Sequence, residues 1–154
     1  MRILAARLQR IAVVAASAIA LQGCAHLVVL RDPLTASEHN DLGVAYESGG
    51  QTRLAAKQYH QSLRLDSHQS RAWVNLGNVQ AADGLWGEAE KSYRRALRDS
   101  SSDPDAMNNL AVALLRQGRH REEARGWAER AVAVGGARDS IYRLTLAEFG
   151  PEVP

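Results

Sequence analysis

The sequence predicts an all-α fold, a superhelix of stacked helical hairpins. Similar segments recur every 34 residues, so that Leu42-Gly43, Leu76-Gly77 and Leu110-Ala111 occupy equivalent positions. Glycine recurs with the same period, at positions 50, 84 and 118. Aromatic residues make up 5% of the chain, while alanine and leucine are abundant, which suits helices that pack closely through small side chains. A period of this length is typical of a solenoid, in which each unit stacks on its neighbours.

Length and charge restrict the classes of function. The 154 residues are enough for one domain. The formal net charge of +2 includes three arginines among the first ten residues; without residues 1–23 the chain has 16 basic and 17 acidic residues. This balance gives no reason to expect binding to nucleic acid. Most of the remaining charges alternate in sign along the predicted helices, which is typical of solvated faces.

The first residues have the composition of an export signal. Residues 1–10 contain three arginines and no acidic residue, and an apolar run of eleven residues follows at 11–21. As a helix rising 1.5 Å per residue, this run is too short to span about 30 Å of hydrocarbon. A basic start, a short apolar stretch and small residues near its end are typical of a secretory signal. We therefore expect residues 1–23 to be a signal peptide.

The tetrad Leu21-Gln22-Gly23-Cys24, which contains the only cysteine of the chain, resembles the bacterial lipoprotein box. The resemblance implies that Cys24 carries acyl chains such as palmitate and anchors the protein in a membrane, with residues 24–35 as a tether. The alternative is an ordinary export signal with an incidental cysteine. Ala25, rather than an aspartate, follows the cysteine. By the same resemblance, this favours a lipid-anchored protein of the bacterial cell envelope, in the outer membrane and facing the periplasm.

Capping and turn residues divide the rest of the chain into helices. Thr35-x-x-Glu38 is a capping box, so the first helix should begin near Ala36 and end at Gly49-Gly50. A second helix should cover residues 52–65. Later helices follow the same pattern and are expected at 70–82, at 86–98, from Asp103-Pro104 to Gly118, and up to Gly135-Gly136.

These helices group into three repeats, at 36–69, 70–103 and 104–138. A capping helix should follow at 139–149, with its apolar stripe packed on the third repeat, and residues 150–154 should form a tail. The stripe consists of Tyr142, Leu146 and Phe149. A single hairpin cannot bury its own apolar face, so at least three repeats and a cap are needed for a stable solenoid.

The repeated positions follow the pattern W-x2-L-G-x2-Y, then A-x3-F. The second repeat carries it most completely, with Trp73, Leu76, Gly77, Ala89 and Tyr93. Over residues 36–138 the chain therefore resembles the tetratricopeptide repeat. The third repeat departs from the pattern, because its turn is one residue longer and Ala128 stands at the large aromatic position; Trp127 is expected to fill the gap.

Small residues at positions 43, 77 and 111 should let the two helices of each repeat approach closely. Tyr59 and Tyr93 are expected to fill the space between repeats. His39 occupies the position of the conserved tryptophan of the pattern and is expected in the core.

The sequence shows no pattern of catalytic or metal-binding residues. The five histidines stand at unrelated repeat positions with no metal-ligand spacing between them, and the one cysteine is assigned to lipidation. No pair of carboxylates is expected to face inward for acid–base chemistry. We therefore expect a protein that is not an enzyme and that needs neither a cofactor nor a metal.

The resemblance implies a concave groove, lined by the first helix of each repeat, that binds a peptide or a partner helix. Amide side chains recur there and can bond the backbone of an extended peptide, or they can tie neighbouring helices together. The chaperone-binding members of the family grip a carboxylate with cations that this groove lacks. The candidate groove residues are Asn40, Asp41, Asn75, Asn78, Asn108 and Asn109, with Arg71 and Arg116 at the rim.

The leading hypothesis is a membrane-anchored adaptor that binds a protein or peptide partner in the envelope. By analogy with lipoproteins of this architecture, it would serve the assembly of an apparatus such as a pilus or a secretion system. A second hypothesis is a structural module that self-associates through its end surfaces. A third is an accessory subunit of an envelope peptidase, because Asp32 to Glu47 resembles repeat segments attached to bacterial cysteine-peptidase-like proteins.

Overall fold

A computed structural model of the chain describes residues 32–150. The predicted signal peptide, Cys24, the tether up to residue 31 and residues 151–154 lie outside the described residues. Within residues 32–150 the structure contains seven α-helices and no β-strand, which confirms the all-α superhelix. The helices are α1 (Ala36–Ser48), α2 (Thr52–Leu65), α3 (Ser70–Ala82), α4 (Trp86–Asp99), α5 (Pro104–Arg116), α6 (Arg121–Val134) and α7 (Asp139–Ala147).

Two helices begin at the capping residues that the sequence predicts. Thr35 Oγ1 accepts a hydrogen bond from the backbone N–H of Glu38 (3.3 Å), and Glu38 Oε2 accepts one from the backbone N–H of Thr35 (2.8 Å). The bond from the Thr35 backbone lowers the pKa of Glu38, because it stabilises the carboxylate. At the start of α5, Asp103 Oδ1 accepts a hydrogen bond from the backbone N–H of Ala106 (3.1 Å), and Pro104 is the first helical residue. These caps satisfy backbone N–H groups that have no partner inside the helix.

The turns within the three helical hairpins share one glycine conformation. Gly50, Gly84 and Gly118 have φ angles of +72°, +75° and +66°, a region that costs glycine nothing but strains most other residues. The fifth helix ends at Arg116, earlier than the predicted Gly118, which lies in the turn. The extra residue of the third turn is absorbed just before α6, where His120 adopts a left-handed conformation with φ +53°.

Within each of the first two hairpins, a glycine of the first helix lies against a tyrosine of the second. A Cβ added to Gly77 would lie 2.5 Å from the Tyr93 ring, and one on Gly43 would overlap the Tyr59 ring in the same way. The prediction that these tyrosines fill the space between repeats is therefore incomplete, because each ring closes the gap inside its own hairpin. In the third hairpin two fully buried alanines, Ala111 and Ala128, occupy the corresponding positions.

The core consists of two clusters of buried apolar side chains. One lies around Tyr59 and Leu76 in the first half of the domain, and the larger one extends from Tyr93 through α5 and α6 to α7. Trp73 is partly buried and packs against both. His39 is buried as predicted, and its Nδ1 forms a hydrogen bond with Gln58 Oε1 (2.8 Å).

Trp127 and α7 complete the second half of the domain. Trp127 packs against the larger cluster but stays partly exposed, with its Nε1 donating to Glu123 Oε1 (3.3 Å) and the Arg130 guanidinium 4.2 Å above its ring. It therefore does not take the buried place of the aromatic residue for which Ala128 stands. Tyr142 and Phe149 are buried in the same cluster, and α7 packs on α6 and α5. Among residues 32–150, no helix combines the length and apolarity needed to cross a membrane.

Candidate ligand-binding groove

The first helices of the three hairpins form one continuous surface. The backbone of α3 comes within 8 Å of both α1 and α5, whereas α2, α4 and α6 do not approach one another this closely. The row α1, α3 and α5 therefore lies on the inside of the curve, and we call these the inner helices. The row α2, α4 and α6 spreads apart on the outside, and we call these the outer helices.

A polar section of about 530 Å³ occupies the middle of the inner surface. Side chains from all three inner helices, from the turn before α5 and from the residue before α7 line it. They are Val44, Ser70, Arg71, Val74, Asn75, Asn78, Ser100, Asp103, Asp105, Asn109 and Arg138. Amides, hydroxyls and charges of both signs surround a small floor of valine.

A second, more apolar section of about 310 Å³ continues from the first. Its lining consists of Asn78, Ala81, Ala82, Trp86, Tyr93, Asn109 and Val112. Asn78 and Asn109 line both sections, so the two cavities form one groove with amide groups at the junction. We call this surface the inner groove.

The asparagines of the inner groove connect neighbouring hairpins. Asn75 Nδ2 donates to Asn40 Oδ1 (2.9 Å), which joins α3 to α1, and Asn40 Nδ2 donates to Asp41 Oδ1 (3.4 Å). One hairpin further along, Asn109 Nδ2 donates to Asn78 Oδ1 (2.9 Å), which joins α5 to α3. Asn75 and Asn109 are therefore bound to the scaffold, as one of the two interpretations of these residues requires.

The same amides keep hydrogen-bonding capacity for a ligand. Within residues 32–150, no hydrogen bond uses the Oδ1 of Asn75 or the Nδ2 of Asn78. Asn78 Oδ1 is held by a second donor, the Tyr93 hydroxyl (3.0 Å). Burial raises the pKa of Tyr93, which keeps this hydroxyl protonated and able to donate. Scaffold bonds thus orient the amides of Asn75 and Asn78, while the Oδ1 of Asn75 can still accept from a peptide backbone and the Nδ2 of Asn78 can still donate to one.

Charges in the groove nearly balance. Arg138 Nη1 lies 3.5 Å from Asp105 Oδ1, and the Tyr142 hydroxyl donates to the same oxygen (2.7 Å). Asp103 is engaged as the cap of α5. Arg71 is exposed and forms no ion pair within the described part of the chain. This arrangement has no cluster of cations that would grip a carboxylate.

The eight predicted groove residues fall into two groups. Asn75, Asn78, Asn109 and Arg71 line the groove. The others do not line it: Asn40 and Asn108 are buried behind the surface, with 2% and 5% of their area exposed, while Asp41 and Arg116 are exposed elsewhere on the inner helices. Asn108 Nδ2 donates to Asn109 Oδ1 (3.4 Å), so Asn108 supports a lining residue rather than a ligand.

Sequence reasoning missed several lining residues that the period of 34 would have identified. Val44 and Val112 are equivalent to Asn78, and Asp105 is equivalent to Arg71. Arg138 carries no such signal, because it precedes a helix that is not part of a full repeat. Within the described residues, no three histidine, cysteine or acidic side chains lie close enough together to hold a metal ion.

Stacked helical hairpins with a groove along their inner helices define a helical-repeat solenoid. Residues 40–104 and 84–140 both match the tetratricopeptide repeat. Because these matches cover more than half of the chain, the chain belongs to the tetratricopeptide repeat family.

Individual proteins are similar to this chain in sequence or in structure. Cellulose synthase operon protein C of Pseudomonas fluorescens (strain SBW25) is 28% identical over 107 residues, which are 70% of this chain but 8% of that protein, so the chain spans a small part of this relative. The first TPR of Spaghetti (RPAP3) bound to the HSP90 peptide SRMEEVD has a TM-score of 0.70 at 17% identity, covering 79% of this chain and 94% of that one. The Yersinia enterocolitica type III secretion chaperone SycD, in complex with a peptide of the translocator YopD, has a TM-score of 0.67 at 20% identity, covering 73% and 90%. At these identities the two structures show the fold.

Proposed function

We propose that this protein is an adaptor of the bacterial envelope that holds an extended peptide segment of a partner protein in its inner groove. The observation that carries the proposal is the pair of scaffold-bound asparagines that line the groove, with an open acceptor on Asn75 and open donors on Asn78. An extended peptide presents unpaired C=O and N–H groups that such amides can bond. The balanced charges favour recognition of the backbone over recognition of a charged terminus.

The two sections of the groove define the ligand further. Polar and charged side chains surround the section near Ser70 and Asp105, whereas Ala82, Trp86 and Val112 line the other. A peptide with polar residues at one end and apolar residues at the other would match both. RPAP3 and SycD, which share the fold, each hold a peptide in their structures, and this precedent supports the proposal.

The envelope location rests on the sequence Leu21-Gln22-Gly23-Cys24. We propose that Cys24 is acylated and holds the domain at the periplasmic face of the outer membrane. There the adaptor would serve the assembly of an envelope apparatus such as a pilus or a secretion system. Several acyl chains on one residue would anchor it stably, since a single chain binds membranes only marginally.

A blocked groove tests the peptide proposal. Ala82 is exposed and lines the apolar section, so Ala82→Arg places a long side chain in the groove without entering the core. Ala133→Arg, at an exposed position of α6, is the matched control. Peptides selected on the full chain from a random library should bind at least tenfold more weakly to Ala82→Arg and unchanged to the control. Equal binding to both variants would place the peptide site on another surface.

Mass spectrometry of the mature N-terminus tests the anchor. We expect an acylated Cys24 as the first residue, and a chain that stays unacylated in the Cys24→Ser variant. A mature chain that begins elsewhere, with a free thiol at Cys24, would leave the adaptor in the envelope without a lipid. The peptide proposal would not be affected by that result.

Self-association is a second candidate function, favoured by apolar side chains at the C-terminal end of the described domain. Leu144, Val134 and Ile141 have 70%, 50% and 49% of their areas exposed. Sedimentation equilibrium over a range of concentrations should detect a dimer if this end pairs with another copy, and Leu144→Glu should abolish it. A monomer at all concentrations would exclude this function.

A further inference from the structure

The outer surface carries a row of basic side chains that the proposed peptide groove does not use. Helix α2 contains Arg53, Lys57, His60 and Arg64, and no acidic residue occurs between Thr52 and Leu65. The spacing of four, three and four residues places all four side chains on one face of the helix. All four are exposed. The overall charge balance of the chain therefore conceals a strongly basic face.

The domain itself does not neutralise the three Lys and Arg side chains of this row. Arg53, Lys57 and Arg64 form no ion pair within residues 32–150, in contrast to Lys91 and Arg94 of α4, which bond Glu88 and Glu90 at 2.8 and 2.9 Å. Paired charges on a helix face are typical of ordinary solvated surfaces. An unpaired row of one sign attracts a surface of the opposite sign.

The basic face continues across a groove between α2 and α4. This outer groove, of about 490 Å³, has Trp73 and Leu76 on its floor. Its lining includes one acidic residue, Glu88, which is paired with Lys91. Arg95 and Arg98 of α4 and His60 of α2 also line it, with the Arg95 guanidinium 5.6 Å from the centre of the Trp73 ring. Together α2 and this lining form a cationic surface with an aromatic side chain at its centre, on the opposite side of the domain from the inner groove. We call it the basic outer face.

We propose that the basic outer face docks on the anionic phospholipid headgroups of the membrane that carries the lipid anchor. This inference rests on the proposed acylation of Cys24. The segment from Ala25 to Pro33 would reach at most about 32 Å, because an extended chain spans no more than about 3.6 Å per residue. The domain is thereby kept within reach of the headgroups, where each Lys or Arg near an anionic surface adds attraction.

Docking through this face would orient the adaptor. The inner groove, on the other row of helices, would then face away from the bilayer and stay accessible to partners in the periplasm. An adaptor free to tumble on its tether would instead present the groove to the membrane for part of the time.

Neutron reflectometry of the full chain on supported bilayers measures the gap between the headgroups and the protein layer. We expect no gap on bilayers with 30% phosphatidylglycerol at about 0.1 M salt, and a gap on pure phosphatidylcholine. The gap should also appear on the anionic bilayer at about 1 M salt, where the screening length falls to about 3 Å. The same gap on both lipids would overturn the proposal.

Matched variants assign the effect to the basic outer face. Arg53→Gln/Lys57→Gln/Arg64→Gln should open the gap on the anionic bilayer, while Arg71→Gln/Arg116→Gln/Arg143→Gln, which removes as many charges elsewhere, should not. If both triple variants open it equally, net charge rather than this face is responsible and the proposal fails. If the α2 variant still lies against the anionic bilayer but no longer binds an acidic envelope protein that the parent chain binds, the basic outer face binds protein and not lipid. The proposal then fails.

The anchor and the docking face can be tested separately. Should Cys24 prove unacylated, its thiol is the only one in the chain, and coupling it to a maleimide lipid places the same protein on the same bilayers. Contact in that experiment supports the basic outer face whatever the natural anchor is, and a persistent gap overturns it. Peptide binding in the inner groove should be unchanged in the α2 variant, because none of its three substitutions lines that groove.

Discussion

The second and third repeats differ in the sizes of the side chains that fill the space between their two helices. In the second, Gly77 on α3 leaves space that the Tyr93 ring of α4 fills. In the third, Ala111 and Ala128 are both fully buried, and the cluster around them also contains Tyr142 and Phe149 from the end of the domain. A repeat followed by another full hairpin can keep its own aromatic residue, whereas the last repeat shares a core with aromatic residues of the segment that closes it.

The comparison shows that the two positions form a coupled pair. A large side chain on the outer helix requires a residue without a Cβ on the inner helix. A small side chain on the outer helix leaves room for a Cβ on the inner helix. The hydroxyl of the large residue then adds a polar function, since Tyr93 donates to Asn78 in the inner groove. The third repeat, without this tyrosine, has no such link from its outer helix to the groove.

The largest effect is expected when the tyrosine is moved into the third repeat. Ala128→Tyr should lower the free energy of unfolding by about 3 kcal/mol, because the ring enters a filled core next to the Ala111 methyl group. Ala111→Gly alone should cost about 1 kcal/mol. The double variant should be at least about 1 kcal/mol more stable than the sum of the two effects predicts. Urea unfolding of the four proteins measures this coupling, and strictly additive effects would refute it.

Gly77→Ala should destabilise the second repeat by about 2 kcal/mol, because the new Cβ would lie 2.5 Å from the Tyr93 ring and force the helices apart. Gly126→Ala is the control: it is also in a helix, α6, but has no neighbouring atom within 4 Å of the added Cβ. It should raise the free energy of unfolding by about 0.5–1 kcal/mol, the usual gain of alanine over glycine in a helix. Denaturant unfolding curves of both variants provide the test, and a loss in Gly126→Ala as large as in Gly77→Ala would mean that crowding is not the cause.

The two asparagine links between repeats should differ in strength. Asn75→Ala leaves the buried Asn40 Oδ1 without its donor and should cost about 1.5 kcal/mol. Asn109→Ala should cost about 0.5–1 kcal/mol, because Asn78 Oδ1 keeps the Tyr93 hydroxyl as a donor and the bond from Asn108 Nδ2, which is also lost, is long at 3.4 Å. Both values come from equilibrium unfolding. A larger loss in Asn109→Ala would show that the buried amide of Asn40 is satisfied in another way.

The smallest effect at neutral pH is expected from Tyr142→Phe, which removes the bond to Asp105. Burial, together with this bond and the negative charge of Asp105, raises the pKa of Tyr142 from 10.0 to about 12. The folded state therefore favours the protonated phenol, so the stabilisation is complete below pH 10 and is lost as the pH rises towards 12. Melting temperatures measured at pH 8 and 11.5 should fall less in Tyr142→Phe than in the parent chain. Equal falls would assign the alkaline loss to other groups.

The helices could be predicted because their signals are local. The second and third helices begin and end at the predicted residues, Thr52–Leu65 and Ser70–Ala82. A glycine turn or a capping residue determines where a helix ends or begins a few positions away in the chain. The repeated sequence pattern therefore predicts these helix ends. The fold followed from the period of 34, because hairpins of that length can bury their apolar faces only by stacking.

The inner groove could be predicted less completely from the sequence. Asn75 and Asn109 are equivalent in sequence, yet one bonds Asn40 and the other bonds Asn78, on different turns of the preceding inner helix. Which partner is reached depends on side-chain rotamers and on the residue at each equivalent position, such as Val74 where the other repeats have asparagine. The row of unpaired basic residues on α2 could have been found from its spacing. The net charge of the chain does not reveal it, because acidic residues elsewhere cancel these positive charges.

His120 shows where this chain tolerates a change in length. The turn between α5 and α6 contains one residue more than its counterparts, and a side chain in the left-handed conformation accommodates it while both flanking helices keep their packing. Histidine is among the residues that enter this conformation more readily than most. The turn is therefore a natural point for inserting an epitope or a fluorescent reporter. Such an insertion would allow the protein to be followed in living cells without disturbing the surface proposed to hold its partner.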